Sequence, residues 1–200
     1  MLSRRNFLEG GLSVLVLTAA SPVAAIAANQ QSLSPELLRR ARVALEKKRR
    51  HLRHTDVFAV ADFSQPSRNE RLHLVEVESG HTTSFYVCHG RGSDPGHRGF
   101  LETFSNEPGS AASSSGAYAT GAYYQGRYGR SMRLSGLDAS NSNAAARGIV
   151  IHSAPYAEPE MITRMGKLGR SEGCFALPES TLDTVLARLG TGRLLYADKL

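Results

Sequence analysis

Cysteine is scarce in this sequence, whose 200 residues contain only Cys88 and Cys174. Two cysteines cannot build the disulfide framework that holds many small secreted domains together. No internal repeat is visible either. A hydrophobic content of 41% in a chain of this length is instead typical of one ordinary domain with its own hydrophobic core.

A basic field over the main part of the chain is also missing. The formal net charge is +6, but residues 1–53 contain ten Lys/Arg and three Asp/Glu, whereas residues 54–200 contain fourteen and fifteen. The first segment therefore has a net charge of +7 and the second a net charge of −1. Because nucleic-acid-binding domains carry their basic field on the folded part, nucleic acid is not expected as a partner.

The sequence motifs that would indicate a nucleotide-binding or metal-binding site are incomplete. The glycine-rich residues 89–93 lack the Lys-Ser/Thr pair and the following helix of a phosphate loop, so no nucleotide is expected. A metal site made of Cys88, His89, His152 and Cys174 is the alternative. Paired zinc ligands are usually separated by about two to four residues, whereas Cys88 and His89 are adjacent. Neither a metal nor another cofactor is therefore expected.

The first 27 residues are typical of an export signal. Residues 3–8, Ser-Arg-Arg-Asn-Phe-Leu, resemble the twin-arginine motif, residues 10–20 are apolar, and residues 25–27 fit an A-x-A cleavage site. The apolar stretch is too short and too rich in Gly, Ser and Ala to predict a membrane-spanning helix, although an uncleaved anchor is the alternative. The expected location is the periplasm or cell envelope.

Residues 28–56 are predicted to form a polar linker and an N-terminal helix. Ser34 is the predicted N-cap and Pro35 the first helical residue. The helix has one apolar face, formed by Leu37, Ala41, Ala44, Leu45 and Leu52. The opposite face either is solvated or contacts an anionic envelope polymer or lipid, and it carries Lys47, Lys48, Arg49 and Arg50.

From residue 57 the pattern changes to one that predicts strands. These strands are expected over residues 57–63, 72–77, 82–88, 118–124, 131–137, 147–152 and 193–197. A short helix is expected over residues 178–189, and residues 94–116 are expected to form a structured loop over the sheet. The predicted domain, residues 57–200, is therefore mostly β, and helices flank its strands at the two ends.

The segment around Cys174 is the main functional candidate. Cys174 follows Gly173, ends a loop rich in Gly and Arg, and precedes an apolar run, which is an unusual place for a packing residue. Upstream, a predicted strand carries His152 to its end. Imidazole can take the thiol proton and leave a reactive thiolate, and backbone N–H groups of the turn can face an oxyanion. The alternative is an inert cysteine and a structural histidine.

One pattern in this part of the chain resembles the active-site signature of the L,D-transpeptidase (YkuD-like) catalytic domain family. It consists of His152, a long loop and then Ser171-x-Gly173-Cys174. Other segments resemble its murein L,D-transpeptidase branch, namely residues 60–64, 88–93, 104–106, 113–116, 147–152 and 169–171. Together the similar segments span roughly residues 58–197, nearly all of the predicted domain. The resemblance implies a compact β-sandwich-like fold.

The resemblance further implies acyl transfer on peptidoglycan stem peptides, with Cys174 as nucleophile and His152 as base and then acid. The Ser171 carbonyl would orient the imidazole, and the amides of Gly173 and Cys174 would form an oxyanion hole. An amine acceptor would give a 3→3 cross-link, whereas water would make the protein an L,D-carboxypeptidase. A non-catalytic cell-wall-binding relative is a third possibility. The protein is expected to act as a monomer.

Three more residues are candidates for substrate binding. Arg170 pairs either with a substrate carboxylate or in a structural salt bridge. His89 either binds substrate or has a structural role. Tyr124, together with Tyr123 and Tyr128, either lines a groove or belongs to the core.

The residues next to the candidate pair lead to an expectation for the thiol. Glu172 stands where many transpeptidases of this family carry a second histidine, and Ser153 stands where glycine is common. An imidazolium at His152 and the turn amides favour the thiolate, whereas Glu172 repels it. The pKa of Cys174 is therefore expected to lie below that of an ordinary thiol.

Overall fold

A computed structural model of the protein describes residues 33–200. The predicted signal peptide and the start of the predicted linker lie outside these residues. Three α-helices occur in the described part: Pro35–Lys48 (α1), Glu160–Met165 (α2) and Glu179–Leu189 (α3). The strands of the same part are Val57–Asp62 (β1), Leu72–Glu76 (β2), Thr82–Phe85 (β3), Gly116–Gly126 (β4), Gly129–Gly136 (β5), Val150–Ser153 (β6), Phe175–Leu177 (β7) and Leu194–Asp198 (β8).

These strands form one mixed sheet in the order β3-β2-β1-β8-β4-β5-β6-β7. Neighbours are antiparallel except β1 with β8 and β6 with β7, which are parallel. The mostly-β prediction is confirmed, including its N-terminal helix and its short C-terminal helix. The parallel pair β6–β7 is the one that positions the candidate residues.

The two ends of the sheet meet. Cys88, which follows β3 at one end, forms an antiparallel bridge with Ala176 of β7 at the other end. The Cys88 N–H donates to the Ala176 carbonyl at 2.8 Å. Inside the closed sheet, the rings of Phe63 and Phe175 stack with centroids 6.0 Å apart. The closure brings the chain that follows β3 beside the loop before β7.

Helix α1 covers the outer side of the sheet. Leu37, Ala41 and Leu45 are buried there, as the apolar face predicts. The Ser34 side chain makes no capping hydrogen bond, although Ser34 is the N-cap residue and Pro35 begins the helix. No helix among residues 33–200 is long and apolar enough to span a membrane.

The basic face of α1 is not wholly solvated. The Lys48 ammonium lies 2.6 Å from the Asp138 carboxylate and donates to the Leu137 carbonyl at 2.7 Å. Lys48 therefore ties the end of the helix to the loop after β5. This contact is long-range in sequence, so helical periodicity alone could not predict it.

One prediction of local structure in the segments that lead to the site is wrong. The sequence predicts a strand over residues 82–88, but β3 ends at Phe85. The Arg71 guanidinium binds the Val87 carbonyl at 3.0–3.1 Å, so a side chain takes the place of a strand partner there. The segment between His152 and Cys174 is mostly loop, as predicted, and also contains the six-residue helix α2, which is capped by Gly166 with φ 73°.

Candidate active site

The parallel pairing of β6 and β7 brings the segments of His152 and Cys174 together. His152 is opposite Ala176, two residues beyond Cys174. Side chains alternate along a strand, and Ile151 and Phe175 both pack into the core inside the sheet. His152 and Ala176 therefore face the other side of the sheet. Cys174 lies two residues before Ala176, so it faces the same side as these two residues.

A hydrogen bond and a stacked aromatic ring hold the His152 ring in place. Its Nδ1 lies 2.7 Å from the Ser153 carbonyl oxygen, which only accepts hydrogen bonds, so Nδ1 carries the proton. Tyr128 stacks on the ring at 4.9 Å with the planes 15° apart. Burial lowers the pKa of His152, and the Ser153 carbonyl opposes this shift more weakly. The ring is therefore neutral at pH 7 and keeps a free lone pair on Nε2.

The carbonyl that orients the imidazole is not the predicted one. The Ser171 carbonyl accepts from the Arg91 N–H at 2.7 Å, so its hydrogen bond goes to the loop after β3. The residue directly after the histidine, Ser153, supplies the orienting oxygen instead. The prediction for Ser171 is wrong because the closure of the sheet gives its carbonyl another partner.

The Ser171 side chain instead braces the turn that carries Cys174. Its hydroxyl donates to the Cys174 carbonyl at 2.7 Å and accepts from the Gly173 N–H at 3.2 Å. Gly173 has φ +110°, a conformation that favours glycine. The Gly173 amide is thus already used within the turn, contrary to the predicted oxyanion hole. No hydrogen bond from the Cys174 amide appears among residues 33–200, so this donor remains for that role.

The surroundings of the Cys174 thiol favour its protonated form. Its sulfur lies 3.5 Å from the Gly148 carbonyl oxygen, to which the S–H donates. Burial raises the pKa of Cys174 and Glu172 adds to the rise, whereas the Val150 N–H and Arg147 lower it. The raised pKa contradicts the expectation of a value below that of an ordinary thiol. No hydrogen bond joins the sulfur to His152 among the described contacts.

The sulfur opens into a pocket of about 370 Å³. The wall comes from the loop after β3, the covering loop of residues 94–115, the segment before β6 and the cysteine turn. Its residues are Arg91, Pro108, Gly109, Ala111, Ala146, Arg147, Gly148, Glu172 and Cys174. A second pocket of about 480 Å³ borders Tyr128 and Ser153, beside the histidine.

Arg147 is the residue of this pocket whose role the sequence did not reveal. Its Nη1 donates to the Ser105 carbonyl and the Ser114 hydroxyl, each at 2.7 Å. Its Nη2 donates to the Ser110 hydroxyl at 3.1 Å and to the Ala112 carbonyl. One side chain thus holds the second half of the covering loop, residues 105–114, next to the cysteine turn. Its place three residues before Val150, in a segment that resembles the family, was the available signal.

The predicted substrate roles of Arg170 and His89 are not supported. The Arg170 guanidinium donates to the backbone carbonyls of Asp94 and Pro95. Within residues 33–200 it forms no salt bridge, and it does not line the Cys174 pocket. His89 is fully buried, with Nδ1 2.8 Å from the Arg71 guanidinium and Nε2 3.4 Å from the Asp94 carboxylate. Burial and Arg71 lower the pKa of His89, which keeps it neutral in this structural network.

The three tyrosines separate into different environments. Tyr124 lies under the Arg133 guanidinium, 4.4 Å from its ring centroid, and lines neither pocket beside the candidate pair. The Tyr123 hydroxyl donates to the Leu186 carbonyl at 2.8 Å. Tyr128 alone of these three contacts His152. The groove prediction therefore holds for Tyr128, while Tyr124 is on another part of the β4–β5 hairpin.

The residues of the proposed metal alternative do not converge. Among residues 33–200, no group of three or more His, Cys, Asp or Glu side chains is arranged to hold a metal ion. Cys88 is buried with its sulfur 3.8 Å from the Tyr156 carbonyl oxygen, and burial raises the pKa of its thiol to about 12. Both cysteines are free thiols.

Residues 29–197 match the L,D-transpeptidase catalytic domain family, and the chain belongs to that family. No curated protein matches its sequence. Among solved structures, it is similar to an L,D-transpeptidase from Mycobacterium smegmatis, at 13% identity and a TM-score of 0.44, over 72% of this chain and 58% of that one.

Two other similar structures come from different bacteria. An L,D-transpeptidase from Xylanimonas cellulosilytica matches at 14% identity and a TM-score of 0.43, over 80% of this chain and 69% of that one. A helical cell shape determining protein from Campylobacter jejuni matches at 12% identity and a TM-score of 0.47, over 74% of this chain and 48% of that one. The match therefore spans about half to two thirds of these longer chains.

Proposed function

We propose that this protein catalyses cysteine-dependent acyl transfer on peptidoglycan stem peptides. The observation that carries the proposal is the placement of Cys174 at an open pocket, with a neutral, oriented His152 on the adjacent strand and the same face of the sheet. Family membership supplies the substrate class. We extend the proposal to export of the protein to the cell envelope, because that substrate lies there and residues 1–27 are typical of an export signal.

The environments of the two side chains favour base-assisted attack over a preformed thiolate. Burial raises the pKa of Cys174 and lowers the pKa of His152, so both groups are neutral at rest. When the acyl donor binds, the Cys174 side chain turns from the Gly148 carbonyl towards Nε2 of His152. The imidazole takes the thiol proton as sulfur attacks the carbonyl carbon, and the imidazolium then protonates the leaving amine.

The covalent intermediate is a thioester on Cys174. Its formation breaks the peptide bond between the diamino acid and the terminal D-Ala, which leaves as the free amino acid. An amine of a second stem peptide then attacks the thioester, loses its proton to His152 and restores the thiol, giving a 3→3 cross-link. Attack by water at the same carbon would instead give L,D-carboxypeptidase activity.

The donor carbonyl needs hydrogen-bond donors when it becomes an oxyanion. We propose the Cys174 amide for this role, because the Gly173 amide is bound to the Ser171 hydroxyl. Ser171 acts as a positioning residue that fixes the turn, and its hydrogen bonds to the Cys174 carbonyl at 2.7 Å and from the Gly173 N–H at 3.2 Å hold the backbone in place.

Mass spectrometry tests the nucleophile. A carbapenem should add its whole mass to the purified protein, on the peptide that contains Cys174, and the adduct should be absent in Cys174→Ser. His152→Ala should slow the acylation by roughly a hundredfold or more, because the base is lost. An adduct on Cys88, or acylation unaffected by His152→Ala, would count against the mechanism.

Incubation with disaccharide-tetrapeptides tests the acceptor. Products with the mass of a 3→3 dimer support transpeptidation, whereas tripeptides alone support L,D-carboxypeptidase activity. A protein that binds peptidoglycan and releases no D-Ala would be the non-catalytic relative, and that result would refute the proposed chemistry.

A further inference from the structure

The pocket beside Cys174 contains a cation without a carboxylate partner. Among residues 33–200, the hydrogen bonds of Arg147 go to two backbone carbonyls and two serine hydroxyls, through Nη1 and Nη2. A guanidinium has five N–H donors, and no described bond uses the one on Nε. The clamp on the covering loop therefore leaves the positive charge of Arg147 uncompensated.

The other charges on the pocket wall cancel. The wall carries two more charged residues, Arg91 and Glu172, whose side chains form an ion pair at 3.3 Å. Arg147 is half-buried, where a charge acts more strongly than in bulk water. The pocket wall therefore has a net charge of +1, and that charge belongs to Arg147.

Arg147 is also close to the proposed nucleophile. A Cβ atom placed on Gly173, the residue before Cys174, would lie 3.3 Å from Nη2 of Arg147. The guanidinium is near enough to Cys174 to oppose the rise in its thiol pKa. A ligand whose carbonyl meets the sulfur thus has this cation within a few bonds of the reacting carbon.

We propose that Arg147 anchors a carboxylate-binding subsite in the Cys174 pocket, and that its ligand is the C-terminal carboxylate of the acyl donor. The inference rests on the proposed function, in which the departing D-Ala carries a free carboxylate next to the attacked carbonyl. An ion pair with Arg147 places that carbonyl over the sulfur and selects donors that end in a free acid. Arg147 is thus a binding residue that also holds the covering loop.

Alkylation of Cys174 by iodoacetate and iodoacetamide tests the anion site without a peptide substrate. Both reagents form a thioether and release iodide, but only iodoacetate is an anion. Because the same thiolate attacks both reagents, the ratio of their rate constants cancels changes in the pKa or accessibility of the thiol. Arg147→Gln should lower the iodoacetate-to-iodoacetamide ratio roughly threefold to tenfold.

Two variants control this measurement. Arg147→Lys keeps the charge but loses the fork of donors, so it should retain most of the ratio. Arg39→Gln removes an exposed charge from α1, on the outer side of the sheet, and should leave the ratio unchanged. In the wild type, raising the ionic strength from about 0.01 M to about 1 M should lower the ratio, because the Debye length falls from about 30 to about 3 Å.

A ratio that is unchanged in Arg147→Gln, or that changes equally in Arg39→Gln, overturns the anion site. Should Arg147→Gln unfold, the wild-type salt dependence still decides the question. A wild-type ratio that is independent of salt refutes an uncompensated positive charge at the sulfur.

A pair of donor tetrapeptides tests the ligand assignment. One ends in the free acid and the other in the C-terminal amide. The wild type should show a KM at least roughly tenfold higher for the amide, as loss of a charged hydrogen bond requires. Arg147→Gln should lose this discrimination. Equal KM values in the wild type overturn the carboxylate assignment. Turnover of neither peptide contradicts the proposed function, and the reagent ratio then decides the anion site alone.

Discussion

At the residue scale, buried polar side chains that stay neutral recur in this molecule. His152 is neutral because burial lowers its pKa, and the same cause lowers the pKa of His89. His73 follows the pattern on β2, with its Nδ1 2.8 Å from the Ser84 hydroxyl. A histidine that is neutral when folded but protonated when unfolded links stability to pH.

His73 gives a prediction for stability against pH. Burial lowers its pKa from 6.5 to about 4, so the unfolded chain binds the proton more tightly than the folded protein. Its contribution is full above about pH 6.5 and falls as the pH drops, by about 3 kcal/mol at pH 4. Urea unfolding of His73→Gln should show that much less pH dependence than the wild type.

The matched control is His51→Gln, which replaces an exposed histidine after α1 and should reproduce the wild-type profile. Equal pH dependence in His73→Gln and the wild type would contradict a depressed pKa at this position.

Gly173 gives a prediction for the cysteine turn. Its φ is +110°, and an added Cβ would lie 2.7 Å from the Ala112 carbonyl oxygen. Gly173→Ala should destabilise the turn by roughly 1–3 kcal/mol and slow carbapenem acylation at least tenfold, because the turn moves. Gly80→Ala is the control: its φ is +72° and an added Cβ would meet nothing within 4 Å. Wild-type acylation by Gly173→Ala would show that the turn tolerates this shift.

At the scale of elements, the site depends on two junctions of the sheet. The parallel pair β6–β7 sets the positions of His152 and Cys174, and the bridge from Cys88 to Ala176 closes the sheet beside them. Helix α1 contributes from the other side, where its apolar face packs on β1, β4 and β8. The helix therefore supports the sheet without touching the pocket.

Two substitutions on α1, Leu37→Ala and Val43→Ala, test this support. Leu37 is fully buried, so Leu37→Ala should lower the free energy of unfolding by about 2–5 kcal/mol. Val43 is 42% exposed on the same helix, so Val43→Ala should change it by less than about 1 kcal/mol. Chemical unfolding measures both. Similar losses in the two variants would mean that α1 does not dock by its predicted face.

At the scale of the whole molecule, charge is divided between two parts of the chain. Residues 1–53 carry the basic excess, whereas residues 54–200, which include the pocket, are almost neutral. A near-neutral domain makes a local charge such as that of Arg147 more selective, because no general field attracts anions elsewhere. Of the ten basic residues in the first segment, Arg4 and Arg5 lie in the proposed export signal, and the other eight lie within residues 39–53, on α1 and just after it.

Export gives the last prediction. Replacing Arg4 and Arg5 together by lysine should trap a longer precursor in the cytoplasm, because the transport receptor reads the arginine pair. Cell fractionation with immunoblotting measures the two forms. Replacing Arg49 and Arg50 by lysine is the control, since this pair lies beyond the proposed signal. Normal export of the Arg4/Arg5 variant would rule out the twin-arginine interpretation.

The amino-acid sequence by itself determined most of the strands, the apolar face of α1 and the choice of Cys174 and His152 as candidates. These features depend on local patterns: alternation along strands, helical periodicity, and a cysteine after glycine at the end of a loop. Neighbours in the chain are enough to produce such patterns, so they can be recognised before any contact is known.

The tertiary structure decided the partners of the polar side chains. His89 meets Arg71, Arg170 meets the carbonyl of Asp94, and Arg147 meets serines of the covering loop, over separations of 18 to 76 residues. Closure of the sheet also occupies the Ser171 carbonyl, whereas the carbonyl of Ser153, the next residue in the chain, orients the His152 ring. Burial then raises the pKa of Cys174, because the cost of removing a charge from water depends on the finished fold.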